Sequence, residues 1–369
     1  MSNVSGKPWH RTPLTEMLNI SLPIVQAPMA GVTTPELVAA VSNSGGLGSH
    51  GAGMLSPERI VSDINEIRLL TAAPFNVNLF VLSPPIVKPD TLTEAMARLE
   101  PMREELGLPT AVVPGKFCES FSDQLEAVLE ARPPVVSFTF GIVDAAVVER
   151  FRRVGTKVIG TATHVAEALA WESVGADAVC AQGAEAGGHR GTFLGGSEEA
   201  MIGTLALVPQ IADAIRIPVI AAGGIMDGRG IAASLVLGAA GVQLGTAFLT
   251  CEESGIPAEW KDKLHIAEGN GTRMTRLFSG RHARGLINQF MDRLQEAEQR
   301  VPAYPIQNAL TAEIRAAAKM KGRLEYVALW AGQGVPLVRH MAAAELIIQL
   351  GKETGTILGC YEITRPAFG

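Results

Sequence analysis

Short apolar runs separated by amphipathic stretches recur eight times along this chain, and that count limits the folds open to it. The runs cover residues 24–27, 46–48, 75–80, 135–138, 157–160, 178–181, 218–222 and 241–244. Helix signals fill the gaps. Thr33 or Thr34 precedes Pro35-Glu36, and Ser56 stands before Pro57 as an N-cap, with Ile60, Ile64 and Ile67 following on one helical face. Strands this apolar are buried on both faces, which requires a parallel sheet covered by helices. The fold class read from this pattern is α/β, most economically closed as a (β/α)8 TIM barrel; an open doubly wound sheet is the alternative.

The pattern also sets the expected organisation. Residues 1–255 make the barrel. The second run is a poor strand because of its glycines, and the segment from Leu82 to Pro114 is too long for a plain connection. An insertion around 82–116 is therefore expected to join a cap. After Cys251 the alternation stops, and residues 256–369 read as a second, smaller, mainly helical region, with helices near 289–300, 311–320 and 341–351. Barrel active sites lie at the C-terminal ends of the strands, so such a tail would cover the site.

Bulk properties narrow the function classes. A net charge of -6 with no basic block, and only 5% aromatic residues, leaves no footprint for nucleic acid. Lys7 and Arg11 are not followed by an apolar stretch, and later apolar runs are broken by Gly or Pro, so neither a leader nor a membrane span is expected. Cys118, Cys180, Cys251 and Cys360 are far apart, which suits a reducing cytoplasm. No metal site is expected, because no H-E-x-x-H or H-x-x-E-H spacing occurs. Covalent catalysis finds no G-x-S-x-G elbow and no basic neighbour beside a cysteine.

The densest chemistry lies in residues 182–191, Gln-Gly-Ala-Glu-Ala-Gly-Gly-His-Arg-Gly, which follow the sixth apolar run. Its four glycines allow close approach to a flat ligand, and His189 is presented at a strand end with a side chain able to exchange protons near neutrality. His10, His164, His265, His282 and His340 have no such setting. Glycines also close the seventh and eighth strands, in Ala222-Gly223-Gly224-Ile225 and Gln243-Leu244-Gly245-Thr246. Barrels often hold phosphate there, with Thr246 adding a hydroxyl; tight turns alone would also explain these glycines. The amides of Asn78, Gln182 and Gln26 could face a heteroaromatic ring such as a flavin. The run 46–51 matches G-x-G-x-x-G but does not lead from a strand directly into a helix, so it reads as a close-approach loop or turn rather than a dinucleotide site. Near the end, Trp330-Ala331-Gly332-Gln333-Gly334, with Arg339 beyond, is a small-residue loop for which core packing of Trp330 is the alternative.

Together, the segments 26–31 and 182–191, Asn78, the segments 218–225 and 243–246, and the Trp330 motif resemble the nitronate monooxygenase family, formerly 2-nitropropane dioxygenases, over nearly the whole chain. The glycine-histidine loop is shared with flavin-dependent enoyl-acyl carrier protein reductases and quinone reductases, whereas the tail motif resembles class I nitronate monooxygenases. The resemblance implies a TIM barrel binding FMN noncovalently, with Ala27, Pro28, Met29, Asn78, Lys157, Gln182, Gly187, Gly188, Gly223, Gly224, Gln243, Leu244, Gly245 and Thr246 at the cofactor. Lys157 is placed at the end of the fifth strand in that reading. Tyr304, Trp330 and Gln333 would lie on the substrate side. The implied reaction is oxidation of alkyl nitronates by dioxygen to a carbonyl compound and nitrite, with His189 as base for neutral nitroalkanes and propionate 3-nitronate as a candidate substrate. An NAD(P)H-dependent reductase on the same scaffold and a non-catalytic flavin-binding barrel are the alternatives. The oligomeric state does not follow from the residues.

Overall fold

The computed structural model describes residues 8–359; Lys7 and Cys360 lie outside them. Strands form where the apolar runs stand: β1 (Ile24–Gln26), β2 (Gly48–Gly51), β3 (Phe75–Phe80), β4 (Val135–Thr139), β5 (Lys157–Ala162) and β6 (Ala178–Gln182). After a two-residue β7 (Gly188–His189), which belongs elsewhere, come β8 (Val219–Ala222) and β9 (Gly241–Leu244). The parallel sheet runs β1-β9-β8-β6-β5-β4-β3-β2, and one bridge from Val25 to Leu47 returns β2 to β1. That seam is too short for a ladder, and a side chain completes it. Gln26 Oε1 accepts from the Ser49 N–H at 2.9 Å, while its Nε2 donates to the Ser49 carbonyl at 3.2 Å. The amide thus makes the pair of bonds a neighbouring backbone would make. The sheet is a (β/α)8 barrel surrounded by helices.

Strand alternation divides the core in two. Inward residues Val25, Leu47, Val135, Ile159, Ala178, Cys180 and Ile220 fill the barrel, and Leu14 and Leu18 of the helix Pro13–Leu18 close its floor. Outward residues such as Val77, Phe138, Val158 and Val179 pack with Ile60, Ile64 and Ile67 of the helix Pro57–Leu70. Of the two threonines that could start the first flanking helix, Thr34 does so: its hydroxyl accepts from the Leu37 N–H at 3.1 Å.

The insertion and the tail share a separate apolar cluster. Leu92, Leu99 and Met102 from the helix Pro89–Glu105 pack with Trp260, Leu277, Phe278, Phe290 and Tyr326. The tail differs from the expected helical cap in two respects. It contributes β10 (Thr272–Thr275) and β11 (Ala283–Leu286), which pair antiparallel, and β11 also pairs with β7. The last described helix, Ala343–Gly359, leaves the cap: Ala343, Leu346, Ile347 and Leu350 pack with Leu37, Val41 and Ile231 on the barrel flank. The boundary at 255 is therefore not a clean one, because the chain returns to the barrel after the cap.

Candidate active site

A cavity of about 450 Å³ opens at the C-terminal ends of the barrel strands, under the cap. Of the expected cofactor residues, Ala27, Pro28, Met29, Asn78, Gln182, Gly187, Gly188, Gly223, Gly224, Gln243, Gly245 and Thr246 all line it, as do His189 and Trp330. Four others do not. Leu244 follows Gln243 on the opposite face of β9 and is buried among the flanking helices. Lys157 begins β5 rather than ending it, so it sits at the far end of the barrel, where Nζ bonds Asp177 Oδ1 at 2.9 Å. Gln333 exposes its side chain and uses only its N–H, bonded to the Glu185 carbonyl at 3.0 Å. Tyr304 is not on the cavity wall but stacks edge-on to His189, with ring centres 5.7 Å apart. Gln26 is likewise withdrawn to the barrel seam. The 46–51 run, read as a loop, supplies strand β2, whose His50 pairs outward with Asp63 at 2.9 Å.

The wall is built from strand ends and one strained residue. Gly223 (φ +115°) and Gly224 (φ +72°) turn the chain after β8 through a conformation open to glycine, which leaves successive N–H groups at the cavity edge. Across from them the cap closes in. A Cβ on Gly187 would lie 2.5 Å from the Gly332 nitrogen, and the Gly332 N–H donates to Thr246 Oγ1 at 2.9 Å. Phe140, just past β4, holds φ +78°, unusual for a bulky side chain. Its ring is fixed by Phe80, stacked at 4.3 Å, and by the Arg281 guanidinium 4.1 Å above it.

The His189 loop is clamped from both sides. Gln182 Nε2 donates to the His189 carbonyl at 2.9 Å, and Gln182 Oε1 accepts from the Gly191 N–H at 2.8 Å. Arg190, fully buried, donates to the carbonyls of Gly183 at 2.7 Å and Ala200 at 2.8 Å. From the cap, Arg281 Nε donates to the Arg190 carbonyl at 2.9 Å. The imidazole itself lies among Phe140, Tyr304 and Trp330, with ring centres at 5.5, 5.7 and 5.3 Å. Nε2 is 2.8 Å from Ser279 Oγ. Burial, then the cations Arg281 and Arg315, pull its pKa down to about 3, so the ring is neutral at physiological pH. Both guanidiniums are lowered to about 10, chiefly by burial. Neither has a salt-bridge partner among the described residues. Arg315 lines the cavity directly, its Nη2 anchored to Asn308 O at 2.8 Å. The cavity is thus an apolar box with positive charge beside an uncharged imidazole, suited to an anion or to a reaction that generates one. Cys180 also reaches it, but burial pushes its thiol up to about 12, which makes it a poor nucleophile.

Sequence reasoning missed Phe80, Phe140, Ser279, Arg281 and Arg315. Phe80 and Phe140 could have been found from their places at the ends of the third and fourth apolar runs. Ser279, Arg281 and Arg315 lie some 90 to 126 residues beyond His189, with no local signal to link them.

Comparison with known proteins agrees with this geometry. The family model described as nitronate monooxygenase matches residues 11–353. A probable nitronate monooxygenase of Staphylococcus saprophyticus is 47% identical over 94% of this chain and 98% of its own length, and one of Staphylococcus aureus is 47% identical over 95% and 99%. Among solved structures, nitroalkane oxidase from Streptomyces ansochromogenes superposes with a TM-score of 0.88 at 42% identity, covering 95% of this chain and 99% of that one. FabK from Thermotoga maritima has a TM-score of 0.76 at 32% identity, covering 95% and 98%. With the barrel, the glycine-lined cavity and 42% to 47% identity over nearly the whole length in agreement, the chain belongs to the nitronate monooxygenase family and is an oxidoreductase.

Proposed function

We propose that this protein is an FMN-dependent nitronate monooxygenase, oxidising alkyl nitronates with dioxygen to a carbonyl compound and nitrite. The observation that carries the reading is the pairing of a neutral, enclosed His189 with two buried guanidiniums that have no carboxylate partner among the described residues. The chain's residues fit the cofactor. Gly223 and Gly224 offer N–H groups for a phosphate, with Gly245 and Thr246 beside them on the wall. Asn78 Nδ2 is bonded to Ser137 Oγ at 3.0 Å, while its Oδ1 has no partner among the described residues and can accept from a ring N–H. FMN supplies electron-accepting chemistry when bound.

The protein's part is proton transfer, placement and exclusion of water. A neutral nitroalkane gives its α-proton to His189, and the C–H electron pair moves into the nitro group, leaving a nitronate anion and an imidazolium. An imidazole with so low a pKa is a weak base alone. The same arginines that oppose the imidazolium stabilise the nitronate formed beside it, which offsets that weakness. A substrate that arrives already ionised needs only the cations. Propionate 3-nitronate suits such a site, since it adds a second negative charge for Arg315.

A second reading, an NAD(P)H-dependent flavin reductase, is supported by the 32% identity to FabK. Anaerobic mixing of the FMN-loaded protein with an alkyl nitronate, and separately with NADH and NADPH, decides between them. Bleaching of the flavin by the nitronate alone, followed by nitrite release in air, is expected. Bleaching by a nicotinamide alone would establish the reductase, and a protein that takes up no FMN would overturn both.

A further inference from the structure

The hydrogen-bond bookkeeping around His189 assigns a role to a residue of the cap that does not line the cavity. Ser279 is 1% exposed and stands 90 positions beyond His189 in sequence. Its hydroxyl has three neighbours: the His189 Nε2 at 2.8 Å, the Arg281 carbonyl at 3.1 Å and the Arg281 N–H at 3.3 Å. A hydroxyl has one proton to give and two lone pairs. The carbonyl can only accept and the backbone N–H can only donate. Giving the serine proton to the Arg281 carbonyl and one lone pair to the Arg281 N–H satisfies both backbone groups and leaves the other lone pair to accept from His189. In that arrangement Nε2 carries the imidazole proton. Nδ1 has no hydrogen bond among the described residues and is not sealed from the cavity that His189 lines.

We propose that Ser279 is a positioning residue that holds His189 as the Nε2–H tautomer, leaving the Nδ1 lone pair to receive the substrate's α-proton. The inference rests on His189 acting as a base in the proposed reaction. Ser279 performs the duty that a carboxylate performs in hydrolytic triads, but without charge. The distinction suits this pocket. A carboxylate there would attract Arg281 and Arg315 and so cancel the field that favours an anionic product. When the ring gains its second proton, the bond from Nε2–H to Ser279 persists unchanged, so no group has to turn during the transfer. The β7–β11 pairing, with His189 opposite Ala283, holds the histidine backbone to the same cap segment that carries the serine.

Nitrogen-15 NMR of the FMN-loaded protein labelled at histidine reads the tautomer directly, with His189→Asn identifying the signal. The expected result is an unprotonated Nδ1 and a protonated Nε2 in the wild type, and a mixture of the two forms in Ser279→Ala. With a neutral nitroalkane, Ser279→Ala should lose kcat/KM by roughly 10- to 100-fold. With the preformed nitronate, the same variant should stay within about threefold. Ser279→Thr keeps the hydroxyl and should restore both the spectrum and the rate. A proton found on Nδ1 in the wild type, or an unchanged tautomer in Ser279→Ala, overturns the assignment. If the tautomer behaves as expected while His189→Asn keeps full activity on neutral nitroalkanes, the base role of His189 has failed and the tautomer assignment stands.

Discussion

His50 and His189 are both held within this molecule, and their neighbours give them opposite work. His50 projects from β2 away from the barrel interior to Asp63 at 2.9 Å, and Arg59 joins the same carboxylate at 2.6 Å. His189 projects from β7 into a cavity where guanidiniums are the charges that shift it, and its ring's one hydrogen-bond partner among the described residues is a serine. A carboxylate beside a buried imidazole makes it part of a fixed structural contact; surrounding cations keep it uncharged and ready to accept a proton. The difference teaches that burial alone does not mark a functional histidine. The sign of the surrounding charge does.

That contrast can be broken most directly by exchanging the consequences of mutation. His189→Asn is expected to lose roughly 10²- to 10⁴-fold in kcat/KM on a neutral nitroalkane, with little loss on the matching nitronate and an unchanged urea midpoint. Equal losses on both substrates in steady-state assays would remove the base role. Asp63→Ala should do the reverse. Leaving His50 buried without its partner costs about 1–3 kcal/mol of stability by chemical denaturation, while the folded fraction keeps its kcat.

Arg315→Met sharpens the electrostatic half of the comparison. Removing one cation from the wall should raise KM for a nitronate about tenfold, near 1.4 kcal/mol, and change KM for the neutral parent less. A KM equally raised for both would mean that Arg315 acts by shape. A further effect lies in acid. His189 binds its proton at about 3 when folded against 6.5 in an open chain, so the unfolded state takes up more protons between those values. Stability should therefore fall as pH drops from about 6.5 toward 3, and His189→Asn should flatten that part of the curve. Unfolding midpoints taken across this range would show identical slopes if the imidazole were not shielded.

Periodicity carried most of the fold, because strands buried on both faces are largely apolar, and seven of the eight are, β2 with Gly-Ser-His-Gly being the exception. β2 was displaced by two residues from its run, since glycine and serine have no strong preference and His50 looked like a loop residue. β7 was invisible: two residues, Gly188 and His189, have no period at all, and the pairing with β11 is decided by contacts almost a hundred residues away. The cavity-lining residues next to glycine at strand ends were legible as neighbours, since the backbone conformation they need restricts the residue type. Lys157 was misplaced by the resemblance alone: it is the first residue of its run, whereas the ligand end of a barrel strand is the last. Leu244 was misplaced by one position, which in a strand reverses the face.

The helix Ala343–Gly359 sets the order in which the molecule can be completed during synthesis. A nascent chain that has emerged as far as residue 255 holds all eight barrel strands but only seven of the flanking helices, and the surface of Leu37, Val41 and Ile231 is still bare. The ribosome must deliver the whole cap before that surface is covered. Any truncation after the cap therefore releases a barrel with a sticky open flank, and the last helical turns act as a seal certifying that the excursion over the active site has been made in full.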